Sequence, residues 1–134
     1  MRGGYTLPVS AIVVVAAVIE RDGQFLLTLR PAGTHLEGHW EFPGGKVLPH
    51  ETHAEALRRE LFEELDIVAD VGPLVFNVSH TYPELNVELY FYRCGFAGEP
   101  KPMFGQDMQW IARDRLSTLP FPEADAELIQ RLSS

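Results

Sequence analysis

The segment Arg59-Glu60-Leu61-Phe62-Glu63-Glu64 constrains this chain more than any other stretch, because helical geometry turns it into an arc of three carboxylates. In a helix, positions i, i+3 and i+4 lie on one face, so Glu60, Glu63 and Glu64 crowd one another. The helix itself is well marked. Thr52 followed three residues later by Glu55 forms a capping box, and Ala54, Leu57, Leu61 and Leu65 recur at helical spacing, which predicts a helix from about residue 53 to 65. Like charges so spaced cost an isolated helix roughly 0.2–0.5 kcal/mol per pair. A cation relieves that cost. Hard divalent ions with oxygen ligands fit best, and magnesium prefers carboxylates combined with substrate phosphates and retained water. Taken alone, the arc reads more simply as a solvated acidic face balanced by Arg58 and Arg59.

What precedes the helix shifts that balance. Gly44-Gly45 lie just upstream, and backbone without Cβ can approach a ligand closely and offer it amides or a carbonyl. The stretch from Trp40 to Gly45 is too short and broken for a helix and reads as a short strand entering a loop. Val9 to Ile19 and Gln24 to Arg30 are β-branched, apolar stretches around Arg21-Asp22-Gly23, whose Asp-Gly pair predicts a hairpin between two antiparallel strands. Pro73 to Ser79, Val87 to Phe96 and Met108 to Ala112 read as further strands, and Glu123 to Leu132, after Pro120 and Pro122, as a short C-terminal helix. A mixed sheet covered by two helices is an α/β layered fold, and residues 1–134 suffice for one domain.

Charge and cysteine content narrow the partners. A net charge of −8 argues against gripping polymeric nucleic acid, which calls for clustered Lys and Arg. A small anionic ligand is still compatible, provided that carboxylate-held metal ions compensate its charge. The lone Cys94 can form neither an internal disulfide nor a thiolate metal site, which suits a reducing cytoplasm. The apolar run Ile12 to Ile19 is too short for a membrane helix. With only Arg2 before it and Glu20-Arg21-Asp22 after it, it also fits a signal peptide poorly.

Residues 45–67 resemble the Nudix box: a glycine, five residues, Glu, seven residues, Arg-Glu, an apolar residue, any residue, Glu-Glu, any residue, Gly, then an apolar residue. Gly45, Glu51, Arg59, Glu60, Leu61, Glu63, Glu64 and Ile67 fall on that pattern, and Asp66 stands where the family has glycine. A left-handed backbone is usual just past a helix, and Asp tolerates it less well than Gly, so a modest stability cost is expected. Trp40 to Lys46 and Phe121-Pro122-Glu123-Ala124-Asp125 resemble the corresponding segments of the MutT branch. Gly44-Gly45-Lys46 lacks the spacing and the Ser or Thr of a Walker A loop.

The resemblance implies a Nudix fold, a mixed β-sheet sandwiched between helices. It further implies Mg²⁺-dependent hydrolysis of a nucleoside triphosphate, ordinary or oxidised, to monophosphate and pyrophosphate, as in nucleotide-pool sanitation, with Mn²⁺ as the alternative ion. Glu60, Glu63, Glu64 and the Gly44 carbonyl would hold the metal, supported by Glu51 and Arg59. By spacing, Arg59 can pair with Glu55 and Glu63. MutT-like enzymes often carry another glutamate where this chain has Phe104, six residues before Trp110. Asp107, Glu63 or Glu64 would then act as base. Arg30, Glu41, Tyr82 and Asp125 would line the nucleobase pocket, against plainer roles as a surface charge for Arg30, a packing aromatic for Tyr82 and a first-turn helix residue for Asp125. An ionised Asp only accepts hydrogen bonds, so guanine, 8-oxoguanine and cytosine derivatives all stay candidates. His35, His39, His50, His53 and His80 match no compact ligand spacing and are given no role. The expected partner is a small nucleotide, with no polymeric nucleic acid and no membrane, and the protein is expected to be a monomer or homodimer. Two alternatives stay open: hydrolysis of another nucleoside diphosphate derivative, and a catalytically silent nucleotide-binding module.

Overall fold

The computed structural model describes residues 11–83 and 85–134. Arg2 and the expected beginning of the first strand at Val9 and Ser10 lie outside the described residues. The first apolar stretch forms β1 (Ala11–Val18), but it does not pair with the second as a hairpin. The chain changes sheets at Ile19, and only the two-residue β2 (Glu20–Arg21) pairs antiparallel with β3 (Gln24–Leu29). Between them Asp22 and Gly23 take φ of 54° and 76°, the pair of left-handed residues that a type I′ turn demands.

Two four-stranded sheets replace the single sheet expected from the sequence. The first is mixed and has the order β5-β1-β7-β6. Within it, β1 runs parallel to β7 (Leu85–Ala97), while β5 (Gly44–Lys46) and β6 (Val68–Tyr82) pair antiparallel with their neighbours. The second is antiparallel and centres on β3, which pairs with β2, β4 (Trp40–Glu41) and β8 (Met108–Ala112). The stretch from Trp40 to Gly45 is therefore two strands, one in each sheet, with Phe42-Pro43 as the crossing. Strand β6 is longer than the expected Pro73 to Ser79 because it lies at a sheet edge. There Pro73 costs little, and the ladder absorbs it through register shifts between Val71, Leu74 and Phe76.

Helix α1 (His53–Leu65) occupies the predicted residues. Its capping box is complete, and Asp66 ends it at φ 57°, ψ 37°, the left-handed conformation anticipated at this position. Leu57, Leu61 and Leu65 are fully buried against Val15, Ala17 and Ile67 on one side of the mixed sheet. The opposite side packs Phe25, Leu27, Phe42 and Phe91 against Leu128 and Leu132. Those two leucines belong to α2 (Ala126–Leu132), which is shorter than expected because its first turn, Glu123–Asp125, tightens into a 3₁₀ helix. Among the described residues no helix is long and apolar enough to cross a membrane.

Candidate active site

The chain's passage between sheets at Phe42-Pro43 brings the candidate residues together. Strand β5 lies beside β1, with Val15 opposite Gly45 and Ala16 opposite Gly44, and α1 crosses over it. The fit leaves no room for side chains. A Cβ on Gly44 would sit 2.0 Å from the Val15 carbonyl oxygen, and one on Gly45 would sit 2.5–2.6 Å from the carboxyl atoms of Glu60. Glycine at 45 thus lets the Glu60 carboxylate lie directly on β5 backbone.

Glu64, one turn further along α1, has a carboxyl oxygen, Oε2, that is buried without a hydrogen-bond partner. Burial first, then the nearby charges of Glu60 and Glu41, push its pKa up to about 9, with the Gly44 amide offsetting this in part. Beside another carboxylate and this enclosed, the Glu64 carboxyl favours its neutral form unless a cation lies close by. The arc is therefore no solvated face: of its three members only Glu63 is half exposed.

Arg59 supplies the ordering. Its Nε and Nη2 grip Glu51 at 2.7 and 3.0 Å, Nη1 reaches Glu60 at 2.9 Å and Glu63 at 3.4 Å, and Nη2 also donates to the Lys46 carbonyl at 3.0 Å. The expected pairing with Glu63 is present, whereas that with Glu55 is not. Glu55 is committed to the capping box, accepting from the Thr52 amide at 2.8 Å. The two-pronged bond to Arg59, with help from the Leu48 amide, holds Glu51 below the usual carboxylate range. Reciprocally, the Glu51 and Glu60 carboxylates raise the Arg59 pKa.

Next to Gly44-Gly45 opens a cleft of about 630 Å³, whose walls include Arg30, His35, Glu41, Tyr82 and Asp125. All four residues expected to line a base pocket are therefore in one cavity. Glu41 pairs with Arg30 at 3.6 Å, yet burial outweighs that attraction and leaves its pKa raised. Asp125 is no plain first-turn residue. It is 5% exposed, and burial, followed by the charge of Glu41, pushes its pKa up to about 7. Burial and the charges of Asp125 and Glu123 raise Tyr82 as well.

The structure also brings in residues that sequence reasoning passed over. His35, set aside with the other histidines, stands edge-on to Tyr82 at 5.1 Å, and its carbonyl accepts from Arg30 Nε at 3.0 Å. Thr28 lies opposite Glu41 in the β3–β4 ladder, with a buried hydroxyl that has no partner among the described residues. A spacing count has no means of finding either, since both are brought in by strand register and loop path. Asp107 is exposed, and its carbonyl accepts from the Leu29 amide at 3.0 Å. Phe104 is 70% exposed.

The donor set suits a hard divalent ion: carboxylate oxygens, one of them buried and unpartnered, beside glycine backbone. Among the described residues no group of three or more His, Cys, Asp or Glu side chains is gathered closely enough to hold a metal ion by itself.

Residues 14–131 match the family model described as NUDIX domain. The chain is 39% identical over 120 residues to the CTP pyrophosphohydrolase of Escherichia coli, covering 89% of each chain. It is 41% identical over 124 residues to the 8-oxo-dGTP diphosphatase of Haemophilus influenzae, covering 90% of this chain and 91% of that one. A crystal structure of a MutT NUDIX hydrolase from Burkholderia pseudomallei matches with a TM-score of 0.82 and 30% identity, over 90% of this chain and 97% of that chain.

Proposed function

The chain belongs to the NUDIX domain family, and from that premise we propose that it hydrolyses a nucleoside triphosphate to the monophosphate and pyrophosphate with Mg²⁺ as its cofactor. The carrying observation is the enclosed Glu60–Glu64 pair, with Glu60 lying on Gly45, beside a cleft that Gly44 and Gly45 also line and that is large enough for a nucleoside. Relatives named as a CTP pyrophosphohydrolase and an 8-oxo-dGTP diphosphatase support the reaction class.

In this reading Glu60, Glu63 and Glu64, with the Gly44 carbonyl, hold the cation. Bound there, it would neutralise diphosphate charge and acidify the attacking water. Arg59 fixes the carboxylates: its two-pronged grip on Glu51 anchors the guanidinium to the loop, and its third nitrogen aims Glu60. Oriented supporting groups of this kind are worth about 10–100-fold in metal affinity or activity. The base enters the cleft between Arg30, Tyr82 and Asp125. Burial and the charge of Glu41 bring the Asp125 pKa toward neutral pH, so it can donate to a ring acceptor when protonated or accept from an amino group when ionised, a choice that a fully ionised Asp does not have.

The test is hydrolysis of ordinary, methylated and oxidised nucleoside triphosphates and of sugar nucleotides with Mg²⁺, beside Glu64→Gln. Monophosphate and pyrophosphate should form from a triphosphate and cease in the variant. Silence across the panel with nucleotide binding intact would overturn the enzyme reading in favour of a binding module.

A further inference from the structure

We propose that Gln106 is a positioning residue that ties the segment 101–107 to the last turn of α1 and thereby holds Glu64 in place for the cation; the inference rests on the metal-site reading above. A helix leaves its final carbonyls without intrahelical donors. Here Asp66 serves only the Phe62 carbonyl, at 3.1 Å. The Glu64 carbonyl is served from outside the helix, by the Met103 amide at 2.9 Å and the Gln106 side chain, Nε2, at 3.3 Å. The Lys101 amide completes the stitching at the Leu65 carbonyl, 2.9 Å away.

Gln106 is the one side chain in this arrangement that faces both ways. Its Nε2 donates to the helix while its Oε1 accepts from the Phe104 amide at 2.9 Å. Gly105, at φ +72° and with open space around it, makes the reversal that brings Gln106 back under Phe104. Burial does not anchor the tip, since Met103 and Phe104 are 53% and 70% exposed. Hydrogen bonds therefore hold the segment, and Gln106 makes two of them. One oxygen of the Glu64 carboxyl has no partner, so the backbone that carries it shares in its placement with Gly44. Where MutT-like enzymes offer a carboxylate from the loop, this chain has Phe104, whose amide serves the brace.

Gln106→Met keeps the volume and removes both bonds. Mn²⁺ affinity, measured by electron paramagnetic resonance on the protein without nucleotide, should weaken about tenfold. The Mg²⁺ concentration giving half-maximal hydrolysis should rise by a similar factor, with kcat at saturating Mg²⁺ changed far less. A purely structural role would lower Tm and leave Mn²⁺ affinity at the parent value, which would overturn the proposal. Gln106→Glu keeps the acceptor and loses the donor, so it should weaken Mn²⁺ as well. Tighter Mn²⁺ binding in that variant would show the segment acting as a ligand source, against the proposal. Glu64→Gln separates the two levels. Unchanged Mn²⁺ affinity there refutes the metal-site reading, whereas a loss there without a loss in Gln106→Met refutes only the role of Gln106.

Discussion

Adjacent glycines in β5 should fail in opposite ways when given a methyl group, and the structure says by how much. In Gly45→Ala the new Cβ would lie 2.5 Å from the Glu60 carboxyl carbon; an ordinary contact begins near 3.4 Å, so the carboxylate must retreat by about 0.9 Å. The end of a flexible side chain can do that. The stability cost is about the 2.9 Å bond to Arg59, roughly 1 kcal/mol. For a chain of this size that is a Tm loss of about 3–5 °C. The catalytic cost is larger, because a misplacement near 1 Å at a reacting centre costs on the order of 100-fold.

In Gly44→Ala the obstacle is the Val15 carbonyl oxygen at 2.0 Å, with Ala16 Cα at 2.7 Å, both backbone atoms of the strand that pairs with β5. No rotamer change helps, and the ladder must open. Overpacking of this severity costs about 3 kcal/mol or more, a Tm loss of roughly 10 °C or beyond. Differential scanning calorimetry and kcat/KM against Mg²⁺ concentration, measured on both variants, read the contrast. A Gly45→Ala enzyme with parental kcat/KM at every Mg²⁺ concentration would refute the placement of Glu60 at the metal. Equal destabilisation of the two variants would refute the distinction between a side-chain and a backbone clash.

Asp125→Asn should change how stability depends on pH. An acid whose folded pKa is raised favours the folded state most when protonated; that contribution is fully present below the unfolded value of 3.8 and is lost as pH rises through about 7. The shift corresponds to about 4 kcal/mol at most. Denaturant unfolding should therefore show the Asn variant gaining on the parent between pH 5 and pH 8, and a constant difference would sink the reasoning. Arg59→Lys should lower kcat/KM about 10–100-fold, since an ammonium cannot grip Glu51 at two points while also reaching Glu60. Parental kinetics would remove Arg59 as an orienting group. Asp66→Gly should raise stability by about 1 kcal/mol, because the residue is left-handed. A lower Tm would mean that the Asp side chain stabilises the end of α1.

What could be read from the sequence follows from the range of the forces involved. The limits of α1 and the left-handed Asp66 are local matters, set by a capping box, an apolar period of three to four residues and a chain-reversal position, and the structure has them where expected. The sheets are not local. Nothing within Val9 to Ile19 says that β1 will lie parallel to a strand some seventy-five residues later, as the pairing of Ala11 with Asn86 requires. The Asp22-Gly23 turn was legible as a turn, but the strands it joins depended on where the chain leaves one sheet for the other. That same crossing, at Phe42-Pro43, decides the site. It places Glu41 in one sheet and Gly44-Gly45 in the other, so that both line the cleft while the Glu60 carboxylate lies on Gly45.

Arg59 shows the same limit at the level of one side chain. Helical spacing offered it Glu55 and Glu63, the partners within its own element. It takes Glu51 instead as its principal partner, because a guanidinium with five donors gains more from a two-pronged carboxylate and a loop carbonyl than from one exposed helical neighbour. Glu55 was not free, being the reciprocal half of the cap that starts the helix. The helix is thereby tied to two separate loops: Glu51 and the Lys46 carbonyl bind Arg59 at its middle, and the segment 101–106 meets the Glu64 and Leu65 carbonyls at its end. Glu60 and Glu64 lie between these two attachments. Bringing two carboxylates together under burial depends on a backbone that is held, which is why the supporting residues should matter to metal affinity as well as to folding.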